Sequence, residues 1–190
     1  MAGFPPHVTE CGWKADIALT PCLCPTERML RAKRSRRREG DILKVDVGGG
    51  KHAYAQVGHE PIIVFFEGLY EVELTPTAVA ELPALFRLMV MNHAVTSGQW
   101  PVVGHEALSA ENAEEPFFFK QDQINGSLAL YHSSFANQNY ERPATLAECS
   151  GLECAAVWEP EHVCDRLRDR HHGKRNRWAD ELAIRSAPTP

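Results

Sequence analysis

The first sustained pattern in the chain starts after residue 40. Leu43-Lys44-Val45-Asp46-Val47 alternates apolar and charged positions strictly, the period of a strand with one buried face. Gly48-Gly49-Gly50 supplies the positive φ angles of a tight hairpin. A return strand follows from about His52 to Val57, with Ala53, Ala55 and Val57 on one face and His52, Tyr54 and Gln56 on the other. The turn Gly58-His59-Glu60-Pro61 leads into Ile62-Ile63-Val64-Phe65-Phe66, which is apolar on both faces and therefore expected in the middle of a sheet. Tyr70 to Leu74 alternates again, so the pattern predicts a three- or four-stranded meander.

Thr75-Pro76 reads as a helix N-cap and first helical residue, and Pro83 limits that helix to about two turns. Leu85 to Val90 fits helix or strand. Strand is favoured because Trp100 to Val103, beyond the Ser97-Gly98 turn, offers a short apolar partner. Glu106 to Pro116 is a polar loop with four glutamates. Phe117 to Gln121 and Ser127 to His132 flank Asn125-Gly126, a strong hairpin signal. After Pro143 the pattern turns helical. Pro160 suits a helix start, Glu159 and Glu161 suit the positive end of its dipole, Val163, Leu167 and His171 share a face, and Gly173 stops the helix.

The expected fold class is α+β, mainly β: a curved antiparallel sheet or small SH3-like barrel with a C-terminal helix packed on it. The meander and the Asn125-Gly126 hairpin are expected in one sheet. Residues 1–30, with four prolines, three cysteines and no periodicity, are expected to be a disordered or mis-called N-terminal extension, with Met29 as an alternative start. Residues 31–172 are expected to form a single domain, and 173–190 a basic flexible tail.

Composition adds little until charge is mapped. The 190 residues are 44% hydrophobic and 24% charged, ordinary for a globular chain. No apolar run approaches the ~18 residues of a membrane-spanning helix. The net charge of −5 conceals segregation: Arg28 to Arg38 carries seven bases and no acid, whereas Glu39 to Val163 carries five bases and eighteen acids. A body at −13 repels nucleic acid and attracts basic surfaces. The six cysteines could suggest disulfides. The first thirty residues lack a secretory signal, so free thiols in a cytoplasmic chain are the expectation, and the Asn125-Gly126-Ser127 sequon carries no meaning there.

Several chemical motifs fail on inspection. Gly49-Gly50-Lys51 lacks the first glycine and the hydroxyl residue of a phosphate loop, since Val45 and His52 stand in those places. His171-His172 with Asn176 lacks the spacing of a nuclease metal site. Cys149, Cys154, Cys164 and His162 lack the short paired knuckle of a zinc site. Ser133-Ser134 beside His132 is no nucleophile elbow, which leaves a small hydrolase as an alternative without a signature. The basic run Arg31 to Arg38 supports a second alternative, a nucleic-acid-binding regulator, but holds no aromatic residue to stack on bases. No catalytic residue, cofactor or metal is expected.

Arg37-Arg38-Glu39-Gly40-Asp41-Ile42-Leu43-Lys44-Val45, followed by Gly50-Lys51-His52-Ala53-Tyr54-Ala55-Gln56-Val57, resembles the opening of the immunity protein 26 family. The resemblance continues through Ile63-Val64-Phe65-Phe66, Ser97-Gly98-Gln99-Trp100, Val103-Gly104, Gly151-Leu152-Glu153, Ala156-Val157-Trp158 and the helix with His162-Val163 and Arg166-Leu167. It implies a cytoplasmic bacterial immunity protein that binds and neutralises a cognate toxin of a polymorphic-toxin system, with no chemistry of its own. Basic nucleases are among the toxins that an acidic body would suit. The expected partner surface is the loop of Glu106, Glu111, Glu114 and Glu115, rimmed by Phe117, with the Tyr54 face of the first hairpin as the other candidate.

Overall fold

The computed structural model describes residues 36–132 and 140–185, all within the compact unit Ala32–Pro190. The expectations for residues 1–30, for Arg31 to Arg34 and for Ser133-Ser134 lie outside the described residues.

The first three strands of the meander form as the alternation predicts, whereas Tyr70 to Leu74 forms no strand and only Tyr70 bridges to His52. β1 (Asp41–Gly48) pairs antiparallel with β2 (Lys51–Val57) around three glycines of positive φ, and β2 pairs antiparallel with β3 (Ile62–Phe66). Next comes α1 (Pro76–Ala80), whose N-cap Thr75 accepts from the Ala78 N–H, with Pro76 opening the helix. β4 (Ala84–Val90) is the favoured strand and pairs antiparallel with β3.

After α2 (His93–Thr96), β5 (Val102–His105) departs from expectation. It pairs with β1 at the opposite edge of the sheet from β4. Two glycines permit this. A Cβ on Gly104 would stand 2.2 Å from Pro76 Cγ, so β5 and α1 approach only because that side chain is absent. Gly40, at φ +88, donates its N–H to Val57 O at 2.8 Å and accepts from Glu106 N at 3.0 Å.

After α3 (Ala110–Ala113), β6 (Phe117–Gln121), β7 (Leu128–His132) and β8 (Tyr140–Ala144) form an antiparallel three-stranded sheet of their own. The hairpin therefore does not join the meander's sheet. Consecutive phenylalanines explain this: Phe118 packs with Ile62 and Met89 at the first sheet, while Phe119 turns to Leu130 and Cys149. The hairpin packs against the first sheet through a side-chain face and leaves its ladder alone. Its turn is tied by Asp122 Oδ1, which accepts from the N–H groups of Ile124 and Asn125, and Gly126 has positive φ.

After α4 (Leu146–Cys149), β9 (Val157–Trp158) pairs in parallel with β4, so the first sheet is mixed, in the order β5-β1-β2-β3-β4-β9. Its two edges do not meet, and no barrel closes.

This sheet is buried on both faces. Val45, Ala53, Ala55, Phe65, Leu88 and Trp100 pack beneath α5 (Pro160–His171), which contributes Val163 and Leu167. Ile42, Tyr54, Val64, Phe66 and Val79 pack on the other side, under the segment that carries α1. The stretch from 173, expected as a flexible tail, carries α6 (Arg177–Glu181). Its Trp178 stacks on His162 with ring centroids 3.5 Å apart and donates its indole N–H to Asp165 at 3.1 Å. Ala179 and Leu182 pack beside Trp178 on the core, and Arg185 bonds to Gln121.

Candidate functional site

The acidic loop is not one patch. Glu106 ends β5 and is held there: its carbonyl accepts from Gln56 Nε2 at 2.9 Å and its carboxylate from Thr77 Oγ1 at 2.9 Å. Past Ser109, which caps α3 by accepting from Asn112 N, the chain folds back over β4. There Arg87 Nη1 donates to two carbonyl oxygens, Glu111 O at 3.1 Å and Glu114 O at 3.0 Å. The guanidinium is thus engaged with the loop backbone. The Glu111 and Glu114 side chains are exposed, and neither forms an ion pair among the described residues.

Glu115 behaves differently. Its carboxylate is 17% exposed and lies 3.7 Å from His59 Nε2 and 3.8 Å from His132 Nδ1. His59 in turn lies 3.7 Å from Glu39. Glu115 therefore lies between the β2–β3 turn and the end of β7, with its Oε2 buried and without a hydrogen-bond partner among the described residues. Phe117 is 44% exposed, with its ring 5.0 Å from that of His132.

Glu111 and Phe117 meet in a groove of about 240 Å³, with Arg87 and Phe86 from β4 and Leu152 and Glu153 from the segment before β9. At one end Arg166 of α5 grips Glu153 through two hydrogen bonds of 2.9 and 2.6 Å, its guanidinium 4.2 Å from the Phe86 ring. The groove is open and partly aromatic, with the Arg166–Glu153 ion pair on one wall and the Arg87 hydrogen bonds to backbone carbonyls on the other.

Of the expected surface, the structure brings together Glu111, Glu114 and Phe117, sets Glu115 on the inner side of the same loop, and places Glu106 apart. Tyr54 is 1% exposed and offers no surface. Its hydroxyl accepts from Leu74 N at 2.8 Å and lies 3.1 Å from His52 Nε2. Burial pushes the His52 imidazole below its ordinary pKa. The tyrosine's period-2 position put it on the face opposite Ala53, but that face is also covered.

Arg87, Glu153, Arg166, His59 and His132 escaped sequence reasoning. One signal existed for Arg87: it is the only base between Lys51 and Lys120. Arg37, at the end of the basic run, is built into the fold, donating to Ile62 O at 2.6 Å and to Asn92 Oδ1 at 3.0 Å.

The three cysteines among the described residues, Cys149, Cys154 and Cys164, are free thiols packed with apolar clusters. Cys149 is buried, and burial raises the thiol pKa of Cys149 and Cys154 and pushes that of Cys164 up to about 11. Among the described residues no group of three His, Cys, Asp or Glu side chains is placed to hold a metal ion. No helix there is long and apolar enough to cross a membrane.

Fold and site together define an α+β scaffold that carries an open groove edged by an acidic loop. The model of the family described as Immunity protein 26 matches residues 38–129, which supports the family that the resemblance implied. The match runs from the turn before β1 into β7 and includes the acidic loop. The motifs at Gly151 and Ala156 and the α5 helix lie outside it. Searches of the curated proteins and of the solved structures return no match.

Proposed function

We propose that this chain neutralises a cognate protein toxin of a bacterial polymorphic-toxin system by stoichiometric binding in the cytoplasm of the producing cell, without chemistry of its own. The observation that carries this reading is the Immunity protein 26 match over residues 38–129. The structure adds a physical reason for binding. Several residues behind the resemblance (Gly40, Trp100, Gly104, Ile63 to Phe66) serve turns, close approaches and core, and they support the surface that would face a partner.

That surface is acidic. All five bases between Glu39 and Val163 are engaged internally: Lys44 with Glu73, Lys51 with Glu71, Lys120 with Glu141, Arg142 with Glu148, and Arg87 with the two loop carbonyls. A basic toxin, nucleases included, would be steered to such a surface, and the groove edge with Glu111, Glu114 and Phe117 is the proposed contact.

The test is to co-express the chain with the protein encoded beside it and measure association at low and physiological salt. For the double variant Glu111→Gln, Glu114→Gln, the association rate should fall about threefold or more at low salt and lose part of its salt dependence. A complex whose rate and salt dependence are unchanged would move the contact elsewhere. A neighbouring toxin that never binds would end the reading.

A further inference from the structure

The groove wall formed by α3 has little hydrophobic anchoring. No residue of α3 is buried, and a four-residue helix with a serine cap does not hold itself. It nonetheless closes one side of the groove, and Arg87 reaches it from the first sheet. Arg87 stands on β4, opposite Val64 in the ladder, so its backbone is fixed by the sheet. Its Nη1 has two hydrogens and meets two carbonyl oxygens, of Glu111 and of Glu114, which bracket the last turn of α3. Both are carbonyls near a helix C-terminus, where partners are missing and a cation is favoured. Arg87 also lines the groove floor beside Phe86.

We propose that Arg87 is the positioning residue of the groove: by clamping the carbonyls of Glu111 and Glu114 it fixes the wall from 110 to 115 in the shape a partner meets. This rests on the reading of the groove as the toxin-binding surface. The clamp pre-orders the wall before binding, so the cost of ordering it is not charged to association. The anchors that follow are consistent with this division. Glu115 faces His59 and His132, and Phe117 sits against His132, so the residues after 114 meet groups other than Arg87, whose two hydrogen bonds go to Glu111 O and Glu114 O.

The experiment measures 15N order parameters of the full chain for wild type, Arg87→Met and Arg87→Lys, with Arg87→Gln as a second neutral variant should Met disturb β4. Residues 110–115 should move from about 0.85 to below about 0.6 in the neutral variants, with β1 to β4 unchanged, and Arg87→Lys should retain most of the order because its ammonium keeps the donors. A hexa-arginine peptide serves as the probe of the surface. Wild-type order at 110–115 in both neutral variants would overturn the proposal. A peptide that perturbs nothing at 110–115 of the wild type would count against the surface, while the order parameters still decide the role of Arg87.

Discussion

The two sheets use their side chains differently. In the six-stranded sheet every residue of β3 is buried, and β1 and β2 bury apolar residues on both faces. In the three-stranded sheet only Phe118, Phe119 and Leu130 of β6 and β7 are buried, and the connections before and within the hairpin expose Glu111, Glu114, Phe117 and Ile124. The first region is constrained from both sides, so its residues are chosen by packing. The second is constrained from one side and is free to carry recognition. Most of the residues behind the family resemblance fall in the first region, which is why they specify a scaffold and contain no chemical signature.

The sharpest way to break this contrast is at Trp100, 1% exposed and edge-on to Phe65 at 5.7 Å. Trp100→Ala should cost about 4 kcal/mol, lowering the melting temperature by roughly 8–16 °C in a domain of this size. Phe117→Ala, on the groove edge, should cost under about 1 kcal/mol in the same calorimetric measurement. Equal losses would erase the distinction between the regions.

A smaller effect separates two glycines within the first sheet. Gly104→Ala drives a Cβ against Pro76 and should cost about 2 kcal/mol by overpacking. Gly49→Ala meets nothing within 4 Å, and its cost is only that of a side chain at φ +65, about 1 kcal/mol. Chemical denaturation of both variants checks the order.

Local signals were legible in the sequence and long-range ones were not. Strict alternation gave β1 and β2 and the faces of Ala53 and Tyr54. Prolines at 76 and 160 marked two helix starts, and Asn125-Gly126 marked the β6–β7 turn, because each depends on backbone preferences within a few residues. The pairing of β5 with β1, the parallel addition of β9 and the division into two sheets depend on which surfaces meet, and no local pattern encodes that. The site divides in the same way. Glu111, Glu114 and Phe117 were visible as an exposed charged loop. The clamp from Arg87 and the histidines around Glu115 come from elements remote in sequence. Tyr54 was misplaced because alternation reports which face a residue takes and not whether that face is covered.

The acid limb of stability offers a finer probe of the second region. Glu148 caps α4 by accepting from the Thr145 N–H at 2.9 Å and pairs with Arg142 at 2.8 Å. The Thr145 backbone bond first, then Arg142, holds its carboxyl at about 2, against an ordinary value of 4.5. A depressed folded-state value means this stabilisation is present above pH 4.5 and lost as pH falls toward 2. Glu148→Gln should therefore flatten the pH dependence of the melting temperature within that window and leave its slope above pH 5 unchanged. A wild-type slope in that window would show that the carboxylate is not linked to folding. The smallest effect is expected at Ile124, 92% exposed at the hairpin tip, where Ile124→Ser should leave the melting temperature within about 1 °C.

The division of labour between scaffold and groove is tested most directly by amide hydrogen exchange of the chain, alone and bound to the protein encoded beside it, the proposed toxin. Bound toxin should slow exchange at 109–117 and 151–153, which line or flank the groove, and leave the β1–β2 turn at Gly48 to Lys51 at its free rate. Protection at the β1–β2 turn with the groove segments unchanged would contradict the account.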